Sequence, residues 1–256
     1  MATAALYNLA LRNMDATVHV LARRVPAPQR VPYKASFVFR HVEKTLHQAL
    51  VQKLARYVSS LRAARLLLVA GFFQEQATLQ RTLDEIQEDI TFLSFSVVFN
   101  DSTLLHKAYL EAFFEEEFDS DSALKSTQRR PMIPRQKIRA YISRINGQGS
   151  DPSTGLEAAR TVSKVYSGYV HAASTQIMDM FGGDPPHFYT SGLKGTPREE
   201  EHRDDLWNYF YRGVLAFAFA AKAFGDEAMF ASISRFAEQF SKSERKGYEA
   251  LLRGEI

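Results

Sequence analysis

Apolar residues recur at three- and four-residue spacing almost from end to end of this chain, and no stretch alternates apolar and polar residues with β-branched enrichment. That periodicity gathers apolar side chains on one face of a helix and gives a sheet no face to bury. The predicted fold class is all-α, a helical bundle. With 256 residues, 45% of them apolar, a single domain over 1–256 is long enough to bury one sizeable core. Tyr7, Leu11, Met14, Val18 and Leu21 line a first helix, which Pro26, Pro28 and Pro32 end. Phe39, Val42, Leu46, Leu50, Leu54 and Tyr57 mark a second. From about 60 to 99 the chain has no proline and only Gly71, which predicts one very long helix, continuous or hinged at that glycine into two coaxial ones.

Punctuation divides the rest. Asn100, Asp101 and Ser102 stop the long helix and cap the next, which ends in the acidic run 115–121. The polar segment 119–133 reads as a mobile loop, followed by a short basic helix over 135–145. Thr154 and Glu157 form a capping box for a helix to about Phe181. Glycines and prolines then predict an ordered loop or minimal hairpin near 182–196, with His187, Phe188 and Tyr189 as its anchor. Thr196, Pro197 and Glu199 supply N-cap, N1 and N3 of a helix whose stripe Trp207, Phe210, Tyr211, Val214 and Phe217 places it centrally. Gly225 and Asp226 end it and cap the last helix.

Charge is distributed in blocks: +9 over 1–65, −10 over 66–124 and +7 over 125–170. Such blocks are complementary faces within one fold or between subunits; a nucleic-acid groove built from the two basic blocks is the alternative. The absence of cysteine excludes disulfides, thiolate catalysis and thiolate-bound metals, and fits a cytoplasmic protein. The N-terminal segment is amphipathic and has no secretory pattern. The most apolar windows, 66–73 and 206–221, are short or broken by Asn208 and Arg212, so no membrane span is expected.

Chemistry-bearing residues fall in two places. QRTLDEIQED, inside the long helix, puts Arg81, Glu85 and either Glu88 or Asp89 on one face. On the helix before Phe181, Arg160, Ser167 and His171 share a stripe, with Tyr166 beside them. Each group supplies what the other lacks, so Arg81 and Glu85 are expected close to the Tyr166–His171 turn, as a buried structural network or a ligand site. Glu199 and His202 have the ExxH spacing of a bundle metal site, but no second copy exists, so neither a metal nor a cofactor is expected.

The pairing of QRTLDEIQED with YSGYVHAAS, followed by MDMFGGDPPHFYTSGL, GTPREEEHRDDLWNYFYRG and AKAFGDEAMF, resembles a family of bacterial helical proteins over roughly 60–230. That family is associated with mobile elements, is grouped loosely with HEPN-like folds and has no established activity. The resemblance implies an α-helical bundle. The wider HEPN group includes metal-independent ribonucleases whose Arg and His, with four to six residues between them on one helix, cleave RNA. Arg12 with His19 and Arg40 with His47 match that spacing, although 21 arginines and seven histidines produce about two such matches by chance. The leading expectation is a non-enzymatic bundle acting through a protein partner or its own oligomer. An RNA-binding or RNA-processing protein is the alternative.

Overall fold

The computed structural model of the chain describes residues 2–33, 35–120, 122–146, 157, 161 and 164–252. Its helices are α1 (Ala2–Ala22), α2 (Leu46–Ala70), α3 (Phe73–Val98), α4 (Leu104–Phe114), α5 (Arg135–Asn146), α6 (164–170), α7 (Ser174–Met178), α8 (Arg198–Ala223) and α9 (Glu227–Leu252). Two small antiparallel hairpins interrupt them: β1 (Gln29–Tyr33) with β2 (Ser36–Arg40), and β3 (Phe181–Gly182) with β4 (His187–Phe188). The architecture is the all-α bundle that the periodicity predicts. The Gly/Pro-rich stretch forms its minimal hairpin.

The long helix over 60–99 is not continuous, and its two parts are not coaxial. α2 stops at Ala70, Gly71 adopts a left-handed φ of 86°, and the Gly71 and Phe72 N–H groups return to the Leu68 and Leu67 carbonyls. This cap satisfies carbonyls that the helix end orphans and reverses the chain. α3 runs back along α2, so Lys53 and Asp89, equidistant in sequence from the glycine, meet at 2.7 Å. Folding back lets each helix bury its apolar face on the other, which a straight rod would leave wet. The loop after β4 seals the turn: Leu193 N–H donates to Gly71 O at 2.8 Å, and a Cβ on Gly71 would stand 2.9 Å from the Lys194 Cβ.

Other boundaries also move. Phe39 lies in β2 and Val42 in the link, so the second helix starts at Leu46. There Thr45 and Gln48 exchange capping-box bonds of 2.9 and 3.2 Å, and that local start signal outweighs the upstream spacing. α4 is capped by Thr103 and ends at Phe114, before the acidic run. The 119–133 segment holds a short 3-10 turn at Ala123–Lys125, and Asp119 accepts from Ser126 and Thr127. The helix expected to reach Phe181 stops at Val170, where Ala172 turns the chain with φ 49°. Thr154 lies outside the described residues. Thr196 does not cap α8: its hydroxyl donates to Leu193 O, while the Glu199 carboxylate accepts the Gly195 N–H at 2.9 Å. Asp226 caps α9 as expected, accepting from Met229 N at 2.8 Å.

α3 and α8 form the centre: α3 packs on α2, α5 and α8, and α8 also packs on α1, α2 and α9. Phe92, Phe210, Phe217, Phe240, Leu50 and Leu54 are fully buried between them, each contributing about 1.5–3 kcal/mol. Gly213 brings α2 close to α8, since a Cβ there would fall 2.4 Å from the Tyr57 ring. The Tyr57 hydroxyl then reaches Tyr209 O at 2.8 Å.

His106, buried at the start of α4, stacks on Phe92 with centroids 3.9 Å apart. Its Nδ1 accepts from Thr103 N–H and its Nε2 faces Phe92 O, so the neutral ring is satisfied at both nitrogens. Burial pushes its pKa down, and an added proton on Nδ1 would confront the Thr103 donor. A folded-state pKa below the unfolded value means that the unfolded chain binds more protons, so stability is lost as pH falls through about 6.5. Urea unfolding of His106→Gln, which keeps a capping-box side chain at N3, should show a shallower loss between pH 7.5 and 5.5, by up to about 1.4 kcal/mol per pH unit.

Candidate functional site

α3 carries Gln76, Gln80, Asp84 and Glu88 at four-residue steps, all buried. Four residues advance the helix by little more than one turn, so these side chains form a single polar stripe directed into the bundle, with Asp89 beside it. Buried polar groups need partners. At the start of the stripe, Gln76 Nε2 donates to His202 O at 2.9 Å. In the middle, Arg212 of α8 donates to Asp84 at 2.7 Å and to the Gln87 side-chain carbonyl at 3.0 Å. At the far end, Arg139 and Arg135 of α5 each reach Glu88 at 2.7 Å, Arg135 also bonds Asp89 at 2.5 Å, and Lys53 of α2 closes on Asp89 at 2.7 Å. Both amide atoms of Gln80 lack a hydrogen-bond partner among the described residues.

The same helices set the electrostatics. Burial raises the Asp84 carboxyl, and Arg212 opposes it. The Tyr166 ring lies 6.0 Å from Tyr209, and burial pushes both hydroxyls up, reinforced by Asp205 at Tyr166 and by Asp84 at Tyr209. These phenols therefore stay protonated donors in ordinary buffers. Burial also raises Asp205 and lowers His202, which stacks on Phe73 at 5.2 Å and meets the Tyr169 edge. The polar seam lies along the stripe, with His202, Asp205, Tyr166 and Tyr209 at one end, Asp84 and Arg212 in the middle, and Glu88, Asp89 and the α5 arginines at the other. Its carboxylates at the far end are held by two cations each, Glu88 by Arg135 and Arg139 and Asp89 by Lys53 and Arg135. Such an arrangement fixes helices and holds protons in place; it does not present a free nucleophile.

Glu88 and Asp89 belong to this seam, and Tyr166 reaches it through Tyr209. Arg81 and Glu85 each lie one position off this stripe. They pair with each other at 2.7 Å near the surface, while His171 is exposed and Ser167 half-buried. Arg160 lies outside the described residues. The stripe passes through position 84 rather than 85, a 100° step around the helix, which is why the seam meets Arg212 instead. Asp84, Gln76, Gln80, Arg135, Arg139, Arg212, Tyr209 and Lys53 escaped the sequence reading. The Gln76–Gln80–Asp84–Glu88 spacing was the signal available for three of them.

Of the RNA-cleavage pairs, one shares a helix and the other does not. Arg12 and His19 are exposed on α1, with His19 3.7 Å from Asp15. Arg40 sits on β2, bound to Glu116, whereas His47 begins α2, bonded to Ala223 O and edge-on to Phe224, so these two share no helix. Among the described residues no group of three or more His, Asp or Glu side chains is placed to hold a metal ion. Glu199 bonds Arg203 and the Gly195 N–H while His202 is buried, so they do not act together as ligands. No helix among the described residues is long and apolar enough to cross a membrane. Comparison with family models, curated proteins and solved structures gives no match.

Removing the Asp84 charge leaves the half-buried Arg212 guanidinium without its counter-ion. Asp84→Asn should therefore cost about 1–2 kcal/mol in urea unfolding, less than a fully buried pair because Arg212 is partly solvated, and Glu85→Gln, which breaks only an i,i+4 pair, under about 0.5 kcal/mol. Equal costs would move the stripe back to position 85.

Proposed function

We propose that the chain is a non-enzymatic helical-bundle protein that acts through a protein partner or a second copy of itself, with the β1–β2 ribbon as the contact. The observation that carries this reading is a ribbon face of exposed aromatic and arginine side chains, tied to the bundle through Arg40 and Glu116. The register pairs Arg30 with Phe39 and Pro32 with Phe37, which puts these four on one face. All four are exposed; Arg30 lies 4.4 Å over the Phe37 ring, and Phe37 meets Phe39 edge-on. Tyr33 is exposed on the other face. Neither strand pairs with a third, and a two-stranded ribbon is marginal by itself. Aromatic and arginine side chains on such a surface are what protein contacts favour.

The charge layout supports the same reading. Arg40 pairs with Glu116, Arg130 with Glu117, Arg144 with Asp101, and the stripe joins both basic blocks to the acidic one. Cations engaged in this way are not spare for phosphates. An RNA role of the HEPN-like kind would rest on Arg12 and His19 alone.

A photo-activated benzoylphenylalanine in place of Phe37 tests the proposal in the native host. The expected product is a discrete protein–protein adduct, absent when the same group replaces Leu124, which is fully exposed on the 3-10 turn. Adducts to nucleic acid alone, equal adducts at both positions, or none at Phe37 would contradict it.

A further inference from the structure

Where the far end of the polar stripe approaches the surface, a cleft of about 420 Å³ opens between α2, α4, α5 and the segment before α5. Lys53, Asp89 and Arg135 reach it from the stripe, while Tyr109, Phe113, Ile133 and Ile138 give it apolar walls. Its size and lining are those of a small-molecule site, mostly apolar with a few convergent polar groups. The Lys53 ammonium stands 4.9 Å over the Phe113 ring and 5.9 Å over Tyr109.

Charge does not balance there. Three cations, Lys53, Arg135 and Arg139, face two carboxylates, Glu88 and Asp89. The other groups do not correct this: burial keeps the Tyr109 hydroxyl protonated, Glu85 is paired with Arg81, and Glu117 is paired with Arg130 at the rim. A surplus positive charge in a largely buried cluster is costly until an anion meets it. Donors are also spare. Lys53 uses one of its three N–H bonds on Asp89, and Arg135 Nε and Arg139 Nη2 have no partner among the described residues.

We propose that this cleft binds a small organic carboxylate with an aromatic or branched apolar body, its charge at Lys53 and Arg135 and its body against Phe113, Tyr109 and Ile138. A surplus of one charge suits a monoanionic carboxylate better than a phosphate dianion, which Glu117 at the rim would also repel. This site is independent of the ribbon contact, so either reading can fail alone.

Calorimetric titration of the full chain with sodium 2-naphthoate and with neutral 2-naphthamide tests it. Naphthoate should bind saturably at one site, and naphthamide about tenfold more weakly or worse, the value of a charge-assisted hydrogen bond. Lys53→Met keeps the aliphatic stem and leaves two cations on two carboxylates, so it should melt no lower than the parent and lose the preference for the acid. Phe236→Ala should leave naphthoate binding unchanged, because it alters the separate, uncharged groove of about 350 Å³ between α1, α8 and α9. Equal binding of acid and amide, an unchanged preference or a lowered melting temperature in Lys53→Met, loss of binding in Phe236→Ala, or no saturable binding at millimolar ligand would each overturn the proposal.

Discussion

The ion pairs that α3 makes inside the bundle are what the other helices are arranged around. Asp84 engages Arg212 of α8, and Glu88 and Asp89 engage Arg135 and Arg139 of α5 and Lys53 of α2. Taking such groups out of water costs several kcal/mol per ion, and their mutual attraction offsets that only with close geometry. The pairs therefore add little net stability over well-packed apolar residues. Their effect lies in what they penalise. A one-residue rotation of α3 would leave the buried Arg139 and the half-buried Arg212 without counter-charges, so a sequence with this stripe is held to one helix register.

That constraint explains features that look unrelated along the chain. The reversal at Gly71 is what lets Lys53 meet Asp89, and the short basic α5 lies against α3 because its arginines have nowhere else to discharge. Part of each basic block is engaged with the acidic one, Arg40 and Lys53 from the first and Arg130, Arg135, Arg139 and Arg144 from the second. The ribbon with Phe37 and Phe39 is exposed, and the cleft over Lys53 opens at the far end of the stripe.

Helix periodicity made the bundle legible, because apolar spacing is a local property that the core merely reads out. Gly225 with Asp226 was legible for the same reason: the cap is made within a few residues. The Gly71 reversal was not, since a glycine in a proline-free run permits a hinge or a turn, and the choice is made by what packs across it, here Leu193 and Lys194. Phe39 was misassigned because one aromatic at the right spacing cannot distinguish a helix from the ribbon strand that Gln29–Tyr33 pairs with. Part of the site was visible in Glu88, Asp89 and Tyr166. Asp84 was missed because Arg81 and Glu85 offered a local pair, whereas its partner Arg212 is distant in sequence and had been noticed only as a break in an apolar run.

Native-state hydrogen exchange tests most directly whether the stripe ties α5 and α8 to α3. If it does, the amides of Ile138–Ile142 in α5 open only with those of Leu83–Leu93 in α3, at the free energy of global unfolding, despite the shortness of α5 and the weak tendency of a helix of that length to persist alone. Exchange of the α5 amides through a separate, low-energy opening while α3 stays protected would contradict the account.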